Sequence, residues 1–376
     1  MTISQLFLPI SRISLSIYRV FPSINSCNST SLSPIKTNRG AVVFIKPIEK
    51  PLRLRKLEAL ARRIPYNRPK RQEILQKLYR IEAGYSGEKS LHYYLTQKAG
   101  RQYRIFHSIK LHTLNHDFRM DFLLVHRTHL MILEIKNISG TLRFEPDRHQ
   151  VIWTKPDNTI KVLPDFYLQA VIQMEHLTNW IEEAGLPQIP VKPLVVISNP
   201  NCRLDIPPQY NNHPSIKNMV RSANLPSRLS YELSRHSKSV FSISALESLI
   251  LQQHKQDDQC ILNETGVHPS ELITGVLCSV CVNKTMIKQR YHWLCKHCGK
   301  TTRNPHLETL IDFSLLIKPL ITNNEFRWFA EVGSASTAKY LLKELNLPIT
   351  GHNRGRTYSL SDLTNSSPEN PHNSLS

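Results

Sequence analysis

The chain has 376 residues, a formal net charge of +19 and 40% hydrophobic residues. This hydrophobic content excludes a globally disordered chain, and the length allows two or three domains. No stretch reaches the 18 or so uncharged apolar residues that a membrane span needs, so we expect a soluble protein without a membrane partner. The excess of positive charge favours a polyanionic partner.

The N-terminal 48 residues contain no Asp or Glu and are rich in Ser. This composition is typical of an organelle transit peptide. The alternative, which we prefer, is a disordered leader ahead of a later translation start in a bacterial protein. The seven cysteines include one tight quartet, a pattern that indicates a reducing compartment, and we therefore expect a cytoplasmic location.

Residues 49–83 are predicted to form a basic helical segment. Between residues 49 and 80 there are eleven Lys or Arg against three Glu. Leu54, Leu57 and Leu60 recur at helical spacing before Pro65, and a second helix follows. Together the two helices would form a positive rim, and the alternative is a pair of surface helices with solvated charges.

Residues 84–200 alternate between helical and strand patterns, which predicts an α/β domain with a sheet flanked by helices. The predicted helices are 87–98 and 166–185, and the predicted strands are 101–111, 120–126, 129–138, 141–146, 149–155 and 191–200.

Asp121, Glu134 and Lys136 are charged residues within or beside apolar strands, where they are costly unless they serve a function. Glu134 and Lys136 are two apart and therefore project from one face of their strand. A short hairpin at 126–129 would bring Asp121 opposite Glu134. Two converging carboxylates suit a divalent cation, and a neighbouring lysine suits phosphodiester cleavage.

Two alternatives weaken this interpretation. Glu134 and Lys136 would form an ordinary salt bridge if their strand were exposed, although the flanking run Met131–Ile135 favours a central strand. His116 and Asp117 are a rival polar pair ahead of the same strand, and we expect them to be loop-edge residues.

The runs GYSGEKSLHYYL, MDFLLVHRTHLMILEIKNISGTLRF and FYLQA closely resemble the nuclease-related domain (NERD) family, a branch of the restriction-endonuclease-like superfamily. The matching motif residues are Gly87, Glu88, Asp121, Glu134, Lys136, Asn137, Gly140 and Gln169. The resemblance implies that Glu88, Asp121 and Glu134 hold a catalytic Mg²⁺ or Mn²⁺, that Lys136 assists, and that Gln169 lines the site.

Two departures from the family pattern lie outside these residues. The hairpin has Arg127-Thr128 where the family often has Gly. The segment before Gln169 reads Leu163-Pro164-Asp165 where the family usually has Asn-Pro.

Residues 201–270 are predicted to be a linker and a helix. The first part, to residue 245, is rich in Asn, Pro and Ser and is predicted to be mostly loop, with a strand candidate at 240–243. A helix would then begin at Ser244 as its N-cap.

Residues 271–305 are predicted to be a zinc ribbon. Cys278, Cys281, Cys295 and Cys298 have the spacing C-x2-C-x13-C-x2-C, which suits a tetrahedral, structural Zn²⁺ site. Basic and aromatic residues between the cysteine pairs suit nucleic-acid contact. They are Lys284, Lys288, Arg290, Tyr291, His292 and Trp293. The alternatives are a ribbon that only docks on its neighbour, and His292 or His297 as a ligand.

Residues 306–362 are predicted to be a small helical module that resembles a winged helix-turn-helix. A capping box at Thr322 and Glu325 opens one helix, and Ser336 is predicted to cap the next. The residues expected to face nucleic acid are Thr337, Lys339, Tyr340, Lys343, Arg354 and Arg356. A helical bundle for protein contact is the alternative, and residues 363–376 are predicted to be a disordered tail.

The sequence therefore predicts a divalent-metal-dependent nuclease that acts on nucleic acid, with DNA preferred, and uses no small-molecule cofactor. A second hypothesis is a nucleic-acid-binding adaptor that keeps the nuclease fold without turnover. A third is a zinc-stabilised platform for protein interaction.

Overall fold

The computed structural model describes residues 43–235, 241–256, 258–281 and 285–365. Most of the predicted leader lies outside these residues, although its last part forms a strand rather than a disordered segment. Among the described residues, no helix is both long enough and apolar enough to cross a membrane.

The first half of the chain contains the elements of the predicted α/β domain and the two helices that precede it. The strands are β1 (Val43–Lys46), β2 (Arg104–His112), β3 (Asp117–His126), β4 (His129–Lys136), β5 (Gly140–Glu145), β6 (Gln150–Thr154), β7 (Ile160–Pro164), β8 (Val191–Ile197), β9 (Cys202–Asp205) and β10 (Met219–Arg221). The helices are α1 (Leu52–Arg63), α2 (Lys70–Ser90), α3 (His92–Leu95), α4 (Phe166–Glu183), α5 (Pro214–Lys217) and α6 (Leu225–Arg235).

The second half contains shorter elements. The strands are β11 (Met286–Lys288), β12 (Trp293–Cys295), β13 (Thr301–Thr302), β14 (Leu320–Thr322), β15 (Ile349–Thr350) and β16 (Thr357–Ser359). The helices are α7 (Ile243–Gln253), α8 (Ile261–Thr265), α9 (His306–Leu316), α10 (Asn323–Ala330), α11 (Ala335–Glu344) and α12 (Ser361–Asn365).

The main sheet of the described residues has the strand order β1-β2-β3-β4-β8-β10. β2, β3 and β4 pair antiparallel, whereas β8 pairs parallel with both β4 and β10. β4 is buried at every position except its last, as expected for a central strand covered on both faces. The predicted mixed sheet flanked by helices is confirmed, and Glu134 lies in its central strand.

A smaller sheet in the order β7-β6-β5-β9 adjoins the main sheet. β5 and β6 pair antiparallel as the predicted hairpin, and β9 adds to β5 in parallel. Gly140 at the start of β5 has φ +92°, and a Cβ there would lie 2.3 Å from the carbonyl oxygen of Thr154. Only glycine fits at this crossing of β5 and β6.

The prediction that residues 201–245 are mostly loop was wrong. This stretch contains β9, α5, β10 and α6, and Leu225 and Leu229 are buried in the main core. Its Pro, Asn and Ser residues lie at the turns and element ends, so composition obscured several short elements. Residue 240 of the strand candidate lies outside the described residues, and α7 already begins at Ile243.

Helix α2 is continuous across the expected boundary at residue 84. Gly84 lies inside this helix, and a Cβ there would meet nothing within 4 Å, so the glycine neither breaks the helix nor allows a close approach. The predicted separation between a basic helical segment and a following domain therefore falls in the middle of a helix.

The basic helices pack against the C-terminal half of the chain. Leu54, Leu57 and Leu60 of α1 share one core with residues of α9, α10 and α11. Arg63 is buried with Asp312 of α9, with 2.8 Å between Nε and Oδ2, and donates to the carbonyls of Ile273 and Gly275. Arg63 therefore contributes neither to the positive rim expected of these helices nor to a solvated helix surface, because its charge is paired inside the protein.

The C-terminal module has the element order of a winged helix-turn-helix. Helix α9, strand β14, helices α10 and α11 and the β15–β16 hairpin follow in sequence, and β16 pairs with both β14 and β15. The capping box is present, because Thr322 Oγ1 accepts from the N–H of Glu325 and Glu325 Oε2 accepts from the N–H of Thr322. α12 continues to Asn365, so the predicted tail begins with a helical end.

Two predicted helix caps lie two residues too late. Helix α7 has Ser242 at its N-cap position, and Ser244 lies inside the helix. Helix α11 is capped by Ser334, whose Oγ accepts from the N–H of Thr337, while Ser336 lies in the first turn. Serines spaced by two offer equivalent caps in sequence, so the pattern does not fix which of them begins the helix.

Candidate active site

Asp121 and Glu134 lie on neighbouring antiparallel strands at the point where their pairing ends. The last paired residues of β3 and β4 are Phe122 and Leu133, and the next step along this register brings Asp121 opposite Glu134. Asp121 Oδ2 accepts from the backbone N–H of Ile135 at 2.9 Å, which ties the carboxylate to β4. The hairpin between the strands thus produces the convergence expected from the sequence.

Glu134 is buried and held by two donors. Lys136 Nζ lies 2.6 Å from Oε1, and Gln173 Nε2 donates to Oε2 at 2.8 Å. Lys136 also donates to Oε1 of Gln169 at 2.9 Å, and its ammonium lies 4.9 Å from the centre of the Phe166 ring. Helix α4 therefore orients both charged residues of β4.

Glu88 reaches the same region from the end of α2. Its Oε2 lies 2.6 Å from Nε2 of buried His107 in β2. Gly87 allows this approach, because a Cβ there would lie 2.6 Å from Asn137 Cβ and 2.7 Å from Ser198 Oγ. Asn137 Nδ2 in turn donates to the carbonyl of Ala83, so the Gly-Glu pair is placed by direct packing of α2 on the end of β4.

The three carboxylates interact electrostatically. The pKa of Asp121 is raised well above its ordinary value, first by burial and then by the charges of Glu134 and Glu88, while the Ile135 N–H and Lys136 lower it. The negative charge at this point is therefore incompletely compensated. An all-oxygen donor set with excess negative charge fits a hard divalent cation such as Mg²⁺ or Mn²⁺.

Residues 83–198 match the family model described as nuclease-related domain, NERD. This part of the chain is a NERD domain. The match covers under a third of the chain and includes the five site residues expected from the sequence, which are Glu88, Asp121, Glu134, Lys136 and Gln169. No curated protein and no solved structure matches the chain significantly.

Two polar residues of the NERD domain site did not figure in the sequence analysis. Gln173 lies one helical turn after Gln169, so the spacing of the two glutamines on α4 was the available signal. His107 is a buried polar residue of β2 and contacts Glu88 and the ring of Phe122. The rival Asp117 instead pairs with His112 and Lys110 at the exposed end of β3.

The four cysteines at 278, 281, 295 and 298 form a compact cluster that fits a metal ion such as zinc. Within the described ranges this is the one group of three or more His, Cys, Asp or Glu residues whose ligand atoms all lie within 4.8 Å of one another. The carboxylates of the NERD domain are more widely spread. Backbone N–H groups of Cys298 and His297 lower the pKa of Cys295 to about 7, which favours the thiolate that a metal needs.

The three-stranded ribbon β11-β12-β13 docks on the C-terminal module. Trp293 is buried and stacks on His306 of α9, with 6.0 Å between ring centres, so the expectation that this ring offers a stacking surface was wrong. His297 Nδ1 lies 3.6 Å from Cys281 Sγ at the rim of the cluster. The alternative of a ribbon docked on its neighbour therefore holds for the face that carries Trp293.

The residues expected to contact nucleic acid are mostly exposed. Arg290, Tyr291, Lys339, Tyr340 and Lys343 are exposed, and the Arg290 guanidinium lies 5.0 Å from the centre of the Tyr291 ring. Lys288, His292, Thr337 and Arg356 are half-buried. Lys284 and the side chain of Arg354 lie outside the part of the chain that the structure describes.

Proposed function

We propose that this protein is a divalent-metal-dependent nuclease that hydrolyses phosphodiester bonds in DNA. The observation that carries the proposal is the meeting of Asp121 and Glu134 on adjacent strands, with Glu88 close enough to raise the pKa of Asp121. Asp121, Glu134 and Glu88 would hold Mg²⁺ or Mn²⁺, which supplies polarisation of the phosphate and an activated water when bound.

The chain's own residues would position the reacting groups. Lys136 is held between Glu134 and Gln169, where its ammonium can offset negative charge on the phosphate. Gln173 and the Ile135 N–H fix the carboxylates in one orientation, so that little reorganisation is needed when a substrate binds.

The C-terminal half would hold the nucleic acid. Lys339, Tyr340 and Lys343 lie exposed on α11, the second helix of the helix-turn-helix, which is the helix that enters the major groove in such motifs. Arg290 and Lys288 extend the positive surface on the zinc ribbon, and Arg354 and Arg356 belong to the wing. We place this activity in the reducing bacterial cytoplasm, where a structural Zn²⁺ held by four thiolates persists.

Cleavage of supercoiled plasmid and of single-stranded DNA tests the proposal. The full chain is incubated with Mg²⁺ or Mn²⁺ and compared with Glu134→Ala and Lys136→Ala. We expect both changes to reduce the cleavage rate by at least about 100-fold, because Glu134→Ala removes a ligand of the metal and Lys136→Ala removes the cation that offsets charge developing at the phosphate. Glu175→Ala, an exposed carboxylate on the same helix as Gln173, is the matched control.

Activity that survives both changes would reject the assigned site. Loss of activity in Glu175→Ala to the same degree would show that the effect arises from general charge or folding. Circular dichroism and thermal melting of each variant separate those two cases.

One observation favours a second candidate, an adaptor that binds nucleic acid without cleavage. The Glu88, Asp121 and Glu134 oxygens are more widely spread than the cysteine cluster, and Lys136 already occupies one face of Glu134. An adaptor would show salt-dependent binding that is unchanged in Glu134→Ala, with no product in either metal.

A further inference from the structure

A cavity of about 360 Å³ lies beside the candidate site, where three segments of the chain meet. The segments are the end of β1 with the start of α1, the facing parts of β2 and β3, and residues 254–256 after α7. Its basic lining residues are Lys46, Lys50, Arg53, Lys110, Arg119 and Lys255, against the single acidic residue Glu49. We call this cavity the basic pocket.

Half of this charge is already compensated at the edges of the basic pocket. Lys50 pairs with Glu58 at 2.8 Å, Arg53 with Glu264, and Lys110 with Asp117 at 3.2 Å. Within the part of the chain that the structure describes, Lys46, Arg119 and Lys255 form no ion pair with a carboxylate.

Lys46 is fixed inside the basic pocket rather than extended into solvent. Its Nζ donates to the carbonyls of His107 and Ser108 at 2.8 and 3.3 Å. Burial lowers its pKa, and the charge of Arg119 lowers it further, although Glu49 and Glu88 act in the opposite direction. Burial also lowers the pKa of His254, followed by the charge of Lys46. Positive groups thus repel one another here, and a bound anion would relieve the repulsion.

The basic pocket and the candidate site adjoin through two neighbouring residues of β2, because Ser108 lines the basic pocket and His107 contacts Glu88. Ser108 lies between the pairs His107–Phe122 and Ile109–Met120, which places it across from Asp121, and its φ of +53° marks a local distortion of the strand. The carbonyls of His107 and Ser108 face Lys46, while the His107 ring holds Glu88. One strand segment therefore separates the basic pocket from the metal-binding carboxylates.

We propose that the basic pocket binds a phosphate group of the nucleic-acid strand that is cleaved, and so sets where the strand lies relative to Asp121, Glu134 and Glu88. The inference deepens the proposed function, on which it rests. Lysine and arginine side chains at three sides suit the tetrahedral, multiply charged oxygens of a phosphate. The phosphate belongs to the end of a strand or to its interior, and the two sources give different results below.

Binding of short single-stranded DNA in EDTA tests the proposal without requiring cleavage. The double variant Arg119→Gln/Lys255→Gln removes two unpaired charges of the basic pocket. Lys98→Gln/Lys192→Gln removes two exposed lysines elsewhere on the NERD domain and is the matched control. The probes are linear oligonucleotides with a 5′-phosphate, a 3′-phosphate or neither, and a circular single strand.

We expect the pocket variant to bind about tenfold more weakly at low salt, and its slope of log K against log salt to fall by about 0.7, the value for one lost phosphate contact on a single strand. If the phosphate is terminal, only an end-phosphorylated oligonucleotide loses affinity. If it is internal, the circular strand loses affinity to the same degree. The control variant should stay within about twofold of the wild type.

Equal binding by the pocket variant and the wild type would overturn the proposal, as would equal losses in the pocket and control variants. Thermal protection by inorganic phosphate provides a second measurement, which should be present in the wild type and absent in the pocket variant. Neither measurement needs hydrolysis, so the two proposals can fail separately. If phosphate binding depends on the pocket residues but DNA is not cleaved, only the nuclease function is rejected. If DNA is cleaved but phosphate binding does not depend on these residues, only the pocket is rejected.

Discussion

At the scale of single residues, the candidate site contains a destabilising negative charge on Asp121, which a hydrogen bond from the backbone of Ile135 holds in place. Asp121 is surrounded by Glu134 and Glu88, and its pKa is raised by burial and by both of these charges. The Ile135 N–H and the Lys136 ammonium only partly offset the repulsion. Functional sites often retain such costs, because the same charges are needed for binding and chemistry.

Asp121→Asn should therefore stabilise the metal-free protein while abolishing cleavage. Asparagine keeps an oxygen that can accept from the Ile135 N–H and removes the unfavourable charge, so we expect the free energy of unfolding at pH 8 to rise by about 1 kcal/mol. Urea denaturation of both proteins in EDTA measures this difference. Asp117→Asn, the same change at the exposed end of β3, should give no such gain.

The gain should depend on pH in a definite direction. A carboxyl whose pKa is raised in the folded state costs stability when ionised, so the wild type loses stability as the pH rises from the unfolded pKa through the folded one. The difference between wild type and Asp121→Asn should consequently shrink as the pH is lowered from 8 towards 4. A difference that is constant over this range would assign the effect to packing.

His107→Phe should weaken metal activation more than maximal turnover. The imidazole holds Glu88 at 2.6 Å, and loss of a partner that orients a metal ligand typically costs about 10–100-fold in metal affinity. Cleavage rates measured across a Mn²⁺ titration give the activation constant and the saturating rate separately. His112→Phe changes an exposed histidine on the same strand and should leave the Mn²⁺ titration unaltered.

At the scale of elements, the zinc ribbon is a structural extension of the C-terminal module. Its Cys278, Met286, Trp293 and Cys295 belong to the same core as α9, α10 and α11. A ribbon that shares its core with a helical module cannot unfold without exposing apolar surface of that module.

Cys295→Ser should thus lower the stability of the whole C-terminal half, in addition to removing bound zinc. We expect a red shift of Trp293 fluorescence and a lower melting temperature, by several degrees, in proportion to the metal lost. Zinc content by atomic spectroscopy accompanies the melts. Cys260→Ser changes an exposed cysteine outside the cluster and should preserve zinc and melting temperature alike.

At the scale of the whole molecule, the N-terminal helices and the C-terminal half form one folding unit. Arg63 and Asp312 are 249 positions apart in sequence yet form a buried ion pair, and the guanidinium also lies 4.8 Å from the centre of the Phe329 ring. Removing one partner of a buried pair leaves an uncompensated charge.

Arg63→Met should accordingly lower the free energy of unfolding by about 3 kcal/mol. This value is at the low end for a buried pair, because Arg62 still pairs with Asp312. Urea denaturation provides the value. Arg53 lies on the same helix as Arg63 and forms an exposed pair with Glu264 of α8. Arg53→Met breaks this pair and should cost at most about 1 kcal/mol. Similar losses in the two variants would contradict a special role for the buried pair.

The central part of the site could be predicted from sequence because its signals are local. Apolar strands flank Asp121 and Glu134, and the short hairpin between them leaves one plausible register. The strand alternation then determines that Lys136 shares a face with Glu134. His107 and Gln173 were missed because their roles depend on which element packs against which. The periodicity of hydrophobic residues along the sequence does not contain this information.

The packing partner of α1 could not be predicted from the sequence. A stripe of leucines predicts that one face is buried but does not identify the partner, which lies more than 200 residues away. The basic pocket could not be predicted for the same reason, because its cations come from three separate segments of the chain. Charge counted along the chain could not distinguish Arg63, which is buried in a pair, from Arg119, which lines a cavity.

Helix α2 has a practical consequence for anyone who would isolate the NERD domain. At about 1.5 Å per residue, its 21 residues extend about 30 Å, with Ile74 and Leu78 anchored in the C-terminal core and Glu88 at the opposite end. Excision at the borders of the family match, residues 83–198, would cut this helix and leave Glu88 on less than three turns that have lost their anchor in the C-terminal core. A fragment limited to the family match would therefore lose part of the helix that positions Glu88, one of the proposed metal-binding residues.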